Sequence, residues 1–166
     1  MSKFKITSPE FKEQDALKKA HEFNGFDGEG QNQSPALQWQ DAPEGTLSFA
    51  VTLYDPDAPT GSGFWHWVLY DIPSNVTQLA QGAGSTDRAE LPGIGIQAQN
   101  DFGTIGFGGV CPPKGSSAHR YVFTVHALRV ASLGLPASGV TNAVVRFVIN
   151  QNTLATASLT GLYKRS

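Results

Sequence analysis

Apolar and polar residues alternate over Leu47–Tyr54, placing Leu47, Phe49, Val51 and Leu53 on one side, the pattern of a strand with one face in a core. Phe64–Ile72 is apolar at nearly every position and predicts a strand covered on both faces, with His66 in line with Phe64, Val68 and Tyr70 on its even side. A third strong strand is predicted over His119–Val130, with His119, Tyr121, Phe123 and Val125 on one face. Shorter alternating runs predict an edge strand at Phe4–Thr7, a strand holding Leu37 and Trp39, and a last strand over Leu154–Tyr163. Helical spacing of Val144, Phe147, Val148 and Gln151 predicts a helix over Val140–Gln151, capped by Ser138-Gly139. Phe11–Phe23 has the composition of a helix, but its apolar spacing is poor. The remainder, chiefly Asn24–Gln33, Asn75–Ile96 and Asn100–Lys114, is polar and rich in glycine, as loops are. Several strands, few helices and no strand–helix–strand rhythm predict an all-β antiparallel sandwich with one or two short peripheral helices.

Composition sharpens this picture. The 166 residues suit a single domain spanning 1–166, and 18 glycines with 10 prolines point to many turns and short strands. A formal charge of −2, with Lys18-Lys19 as the only basic cluster, argues against nucleic acid or an anionic membrane surface as partner. Cys111 is the only cysteine, which excludes an internal disulfide and a multi-thiolate metal site. No apolar run approaches the length of a membrane span, and Met1–Ile6 has no signal-peptide core, so a cytoplasmic protein is expected.

Candidate chemistry gathers in two loops. The first, Asp55-Pro56-Asp57-Ala58-Pro59, is followed by Gly61, Gly63 and then His66 between two tryptophans. Proline stops the preceding strand, because it cannot donate to a sheet ladder, and the glycines let the chain turn before pairing resumes. The second loop, Pro112-Pro113-Lys114-Gly115, leads into His119 and Tyr121. Taken singly these residues have plain readings: Asp57 as a turn residue bonding its own backbone, His66 as a satisfied interior ring, His119 as a strand start. Taken together, and if the two strands are neighbours, they place Asp55, His66, His119 and Tyr121 around one small cavity. There the imidazoles and backbone N–H groups would donate to a phosphate or carboxylate while Asp55 orients a ring. A metal held by Asp55, His66 and His119 is chemically admissible, yet an anion pocket uses the same residues without a fourth ligand. His126, on the opposite strand face, and His21, in a charged segment, read as structural or solvated. Gly93–Ala98 matches a dinucleotide fingerprint in letters only, since Pro92 precedes it and no helix follows. Gly109–Lys114 has the wrong spacing for a phosphate loop, and no Gly-x-Ser-x-Gly elbow occurs. The pattern calls for no cofactor.

Asp55–Pro59, the His66-Trp67 pair eleven residues after Asp55, Pro112-Pro113-Lys114-Gly115 with His119-Arg120-Tyr121, and the upstream Ser34-Pro35-x-Leu37-x-Trp39 resemble the phosphatidylethanolamine-binding protein family. The order is most similar to its short bacterial branch, the Raf-kinase-inhibitor-like proteins, from roughly Phe23 to the C-terminus. The resemblance implies a Greek-key β-sandwich with an anion pocket at one end. It places Asp55, His66, Pro112, His119 and Tyr121 in the pocket lining, with Asp57, Ala58 and Pro113 supporting the wall. It also implies an extended or irregular course for Phe11–Phe23, a cis peptide at Ala58–Pro59, and, from the bacterial relatives, a homodimer. Cys111 stands where relatives usually carry a small residue, so its thiol is expected to narrow or tune the pocket. The chain stops at Ser166 without the C-terminal helix of mammalian relatives, which leads us to expect a more open site and no assured phospholipid selectivity.

The function expected on these grounds is a cytosolic binding and regulatory module for a small anionic ligand, phosphate or a phospho-headgroup, whose rim engages a protein partner such as a kinase or protease. The alternative is a hydrolase using Asp55 and a histidine as an acid–base pair on a small ester or phosphoester. A third reading is a purely protein-binding inhibitor with a vestigial pocket.

Overall fold

The structure, a computed structural model, describes residues 3–136 and 138–166. Three long strands form its centre: β3 (Ser48–Asp55), β4 (Phe64–Pro73) and β8 (His119–Leu128). They belong to an antiparallel six-stranded sheet completed by β6 (Glu90–Leu91), β7 (Gly95–Gln97) and β9 (Thr153–Tyr163), in the order β6-β7-β4-β3-β8-β9. The chain passes from β3 to β4 to β7 and then returns to lay β8 beside β3, which is the long return of a Greek key. A second, three-stranded antiparallel sheet of β1 (Lys5–Thr7), β2 (Leu37–Gln40) and β5 (Gln78–Leu79) covers one face. The antiparallel sandwich expected from the sequence is the fold observed.

The two faces of the large sheet bury different groups. Phe49, Val51 and Leu53 of β3 meet Trp67 and Leu69 of β4 and Tyr121, Phe123 and Val125 of β8, and Phe4, Ile6, Leu37, Trp39 and Leu79 of the small sheet close over them. On the opposite face Ala50, Val68 and Tyr70 lie under α1 (Asn142–Gln151), the single α-helix among the described residues. Because both faces are covered, β3 is buried at almost every position, not on the one side that its alternation implies; only Leu47, just before it, is exposed.

The helix is present, but two details differ from expectation. Its N-cap is Thr141, whose Oγ1 accepts from the Val144 N–H at 3.3 Å, rather than Ser138-Gly139. It turns Asn142, Val145 and Ile149 inward and leaves Val144 and Phe147 exposed, so the stripe of Val144, Phe147 and Val148 is not the packing face. Val145 and Ile149 pack on the sheet, and the Asn142 amide holds the same side, its Nδ2 donating to Gln99 O at 2.9 Å and to Asp101 Oδ1 at 3.0 Å. Phe11–Phe23 is irregular apart from one 3-10 turn at Lys19–His21, as the family resemblance implies and against its helix-like composition. Ala58–Pro59 is trans, since the described residues contain no cis peptide, which corrects the expected isomer. No described helix is long and apolar enough to cross a membrane.

Candidate functional site

β8 begins beside the end of β3, and parity along each strand carries the last residue of the one and the first of the other to the same place. Asp55 continues the face of Leu53 and Val51, and His119 and Tyr121 continue that of Phe123 and Val125. Their side chains therefore emerge at one end of the main core. His119 Nδ1 lies 2.7 Å from Asp55 Oδ2, with both residues buried. A carboxylate can only accept, so Nδ1 carries the proton and Nε2 is the nitrogen left for a ligand. The other carboxylate oxygen accepts from the Asp57 N–H at 2.8 Å, the Asx turn that the Asp-Pro-Asp sequence suggests.

His66 reaches the same place by a different route. Leu53 pairs with Trp67 and Tyr54 with Trp65, so His66 is an extra residue between two pairs, a β-bulge. The bulge breaks the even-face alignment expected for β4. Trp65 goes to the helix side, where it stacks on Tyr54 and lies under the Arg146 guanidinium, while His66 turns to the pocket side with Trp67 and Leu69. Gly108 then fixes the ring, because its O accepts from His66 Nδ1 at 2.8 Å and its N–H donates to His66 O at 2.9 Å. Burial holds the imidazole down to about 4, so at neutral pH it is the neutral Nδ1–H form. The expectation that His66 donates to an anion is thereby corrected: its one proton is spent on a carbonyl, and Nε2 is a lone pair.

Tyr121 lies between the rings, 5.4 Å from His66 and 6.4 Å from His119 centroid to centroid. Its hydroxyl is fully buried and has no hydrogen-bond partner among the described residues. Burial, reinforced by the nearby Asp55 carboxylate, pushes its pKa far above the ordinary phenol range, so it keeps its proton.

These groups face a cavity of about 150 Å³. Of the expected residues, Asp55, His66, Ala58, Cys111, Pro112, Pro113, His119 and Tyr121 line it. Asp57 does not; it stands behind the wall, where its carboxylate accepts from the Arg120 backbone N–H at 2.8 Å. The Cys111 Sγ lies 4.0 Å from Asp27 Oδ1, and burial raises its pKa, so the thiol is part of the wall and not an activated nucleophile. Pro59, Thr60, Phe64 and Phe102 complete the lining and escaped the sequence reading. Phe102 is presented by a glycine-rich loop that Asn100 braces, its Oδ1 accepting from the Phe102 N–H at 2.9 Å. Phe102 packs edge-on to Phe64 and, through Phe23 and the 82% exposed Phe26, extends the aromatic surface outward. Arg165 is the other unforeseen residue: Nε donates to Pro112 O at 2.7 Å and Nη2 to Asp27 Oδ1 at 3.0 Å, tying the C-terminal segment to the Pro112-Pro113 loop. This tail braces one wall of the site.

The remaining histidines are elsewhere. His126 faces the helix side, as its parity suggests, and burial lowers its pKa to about 4. His21 is buried and donates from Nδ1 to Gln33 O at 2.7 Å, so it is structural and not solvated. No group of three His, Cys, Asp or Glu side chains fit to hold a metal occurs among the described residues.

Known proteins share this fold. The chain is 48% identical over 161 residues to the UPF0098 protein YbcL of Escherichia coli, covering 97% of this chain and 87% of that one. It is 45% identical to YbhB of the same organism, covering 96% and 99%. The crystal structure of YbcL, described as a new member of the mammalian PEBP family, superposes with a TM-score of 0.94 over 99% of this chain and 100% of the other. The Chlamydia trachomatis PEBP homolog CT736 gives 0.81 at 28% identity, with both chains covered completely. Residues 7–164 match the profile of the phosphatidylethanolamine-binding protein family, a wider span than the loops alone carry, and the chain belongs to that family.

Proposed function

We propose that the protein is a binding and regulatory module whose pocket takes a small oxyanion, phosphate or a phosphorylated headgroup. The observation that carries this reading is the buried Asp55–His119 pair at 2.7 Å, which aims His119 Nε2 into a cavity of phosphate size beside Tyr121 and His66. Pockets for larger organic ligands usually exceed about 300 Å³. The aromatic rim at Phe102 and Phe26 is the surface on which we place a protein partner, such as a kinase or protease, and a homodimer is the self-assembly we propose. An unpaired thiol at Cys111 accords with a reducing, cytosolic setting.

Titration with millimolar inorganic phosphate, followed by NMR of the imidazole signals, tests the pocket. His66 and His119 should shift together, and Asp55→Asn should abolish the response in a protein that still folds. Silence from both rings at millimolar phosphate would overturn the reading. The hydrolase alternative stands second, because no hydroxyl or thiol among the described residues is hydrogen-bonded to either pocket ring.

A further inference from the structure

We infer that the protein has a second binding site, on the helix side of the large sheet, for a small elongated aromatic carboxylate that carries a hydroxyl at its far end. This site lies across the sheet from the oxyanion pocket and does not rest on that reading.

A cavity of about 250 Å³ opens between α1 and the large sheet. Strand register sets its floor: Trp65, Tyr54 and Val122 form one cross-strand row, Thr52 and Thr124 the next, and His126 the one after. Arg146, Ile149 and Asn150, three and four residues apart, close it from one side of the helix. Asp55, His66 and Tyr121 of the first pocket are the chain neighbours of Tyr54, Trp65 and Val122, so the two cavities stand back to back.

The two ends of the cavity differ in chemistry. At one, the Arg146 guanidinium lies 3.9 Å over the Trp65 ring, and its Nε donates to Asn142 Oδ1 at 3.1 Å. None of the ion pairs among the described residues includes Arg146, and no acidic side chain lines the cavity. The Asp101 carboxylate, whose charge it feels, is engaged by the Trp65 N–H at 2.8 Å and by Asn142 Nδ2 at 3.0 Å. A half-buried guanidinium with its Nη groups to spare is matched by a ligand carboxylate, which it grips with two parallel hydrogen bonds. At the other end Thr153 Oγ1 donates to Ile149 O at 2.8 Å and so accepts from His126 Nδ1 at 3.1 Å. Burial holds this imidazole down to about 4, so Nε2 is a lone pair at neutral pH and takes a hydroxyl donor. An ammonium could donate there too, but it would meet no carboxylate in the lining.

Length and volume narrow the class. Four residues of β8, about 14 Å, separate the Val122 row from His126. A short hydroxy acid cannot serve both ends, whereas a benzene ring with its carboxylate and hydroxyl in para positions can. Tyr54, Trp65, Val122 and Ile149 give that ring apolar walls. The volume falls below the range of about 300–1,000 Å³ usual for drug-sized ligands, which suits a single ring.

The test titrates the intact protein with 4-hydroxybenzoate and 4-hydroxyphenylacetate, beside benzoate, phenylacetate and the uncharged 4-hydroxybenzyl alcohol, and reads the Trp65 indole and the His126 ring by NMR. At millimolar concentration at least one of the two hydroxy acids should shift both side chains. It should bind about fivefold more tightly than the same acid without its hydroxyl, the worth of one hydrogen bond. The alcohol should bind at least about tenfold more weakly. Arg146→Gln should abolish binding, and His126→Leu should erase the hydroxyl preference while leaving the affinity for the plain acid unchanged. Inorganic phosphate, tested alongside, should move His66 and His119 but not Trp65, so the two sites stand or fall separately. No shift at Trp65 and His126, shifts confined to His66 and His119, an alcohol that binds as well as the acid, or a hydroxyl preference that survives His126→Leu would overturn the inference.

Discussion

Arg120 grips Asp57 through three hydrogen bonds: its backbone N–H meets Oδ2 at 2.8 Å, Nε meets the same oxygen at 3.0 Å, and Nη2 reaches Oδ1 at 2.8 Å. The strand that carries His119 is thus bound directly to the loop that begins at Asp55. The guanidinium holds the Asp57 carboxyl down to about 2. Both side chains are partly open to solvent, which screens the pair, so it adds little to stability. Its value lies in position.

Arg120→Ala is therefore expected to move the melting temperature by no more than about 4 °C while weakening methyl phosphate binding several-fold. Calorimetry beside NMR titration checks this. A large drop in melting temperature with unchanged affinity would make the pair a pillar of the fold instead of a brace for the wall.

Stability should depend on pH through two buried rings. His66 and His126 are held at about 4 in the folded protein by burial, whereas an unfolded histidine titrates near about 6.5. Between those values the unfolded chain binds more protons, so stability rises with pH across this window. The contribution is complete above about 6.5 and is lost as the pH falls toward about 4, on the order of 3 kcal/mol for the fully enclosed His66 ring. Urea midpoints at pH 7 and pH 4.5, with a constant slope, measure it. His126→Gln should remove its share without disturbing phosphate binding, and equal midpoints at the two pH values would mean that both rings are charged in the fold.

The Arg165 latch predicts a change in thiol chemistry. In the intact protein the side chain is almost enclosed and holds Pro112 O and Asp27 together, next to Cys111. Arg165→Ala frees the Pro112-Pro113 loop, and alkylation of Cys111 by iodoacetamide should accelerate several-fold. An unchanged rate would show that the loop is held by its prolines and its neighbours alone.

These residues also mark how far the sequence can be read. The meeting of Asp55 with His119 was legible, because 51, 53 and 55 share a parity on one strand, as do 119, 121 and 123 on the other, and both runs are uninterrupted. The direction of His66 was not, because one unpaired residue in β4 reverses the count and only the partner strand reveals it. The helix position was legible but its rotation was not: two overlapping apolar stripes fit the same ten residues, and only the surface it meets, with Val145 and Ile149 on the sheet and Asn142 bonded to Gln99 O, distinguishes them. Phe102 and Arg165 reach the site through loop and tail geometry that no periodicity encodes. The proton on His66 belongs to the same class, since Gly108 lies 42 residues away and contributes only a carbonyl.

The surplus residue at His66 has a consequence for how such a site can be lost. Deleting any one of Trp65, His66 or Trp67 would restore an even count, and the pleat alone would then decide which side chains look toward Tyr121 and which toward α1. A chain could in this way keep its sandwich, its carboxylate and every flanking motif, and still present nothing to the ligand where an imidazole once stood.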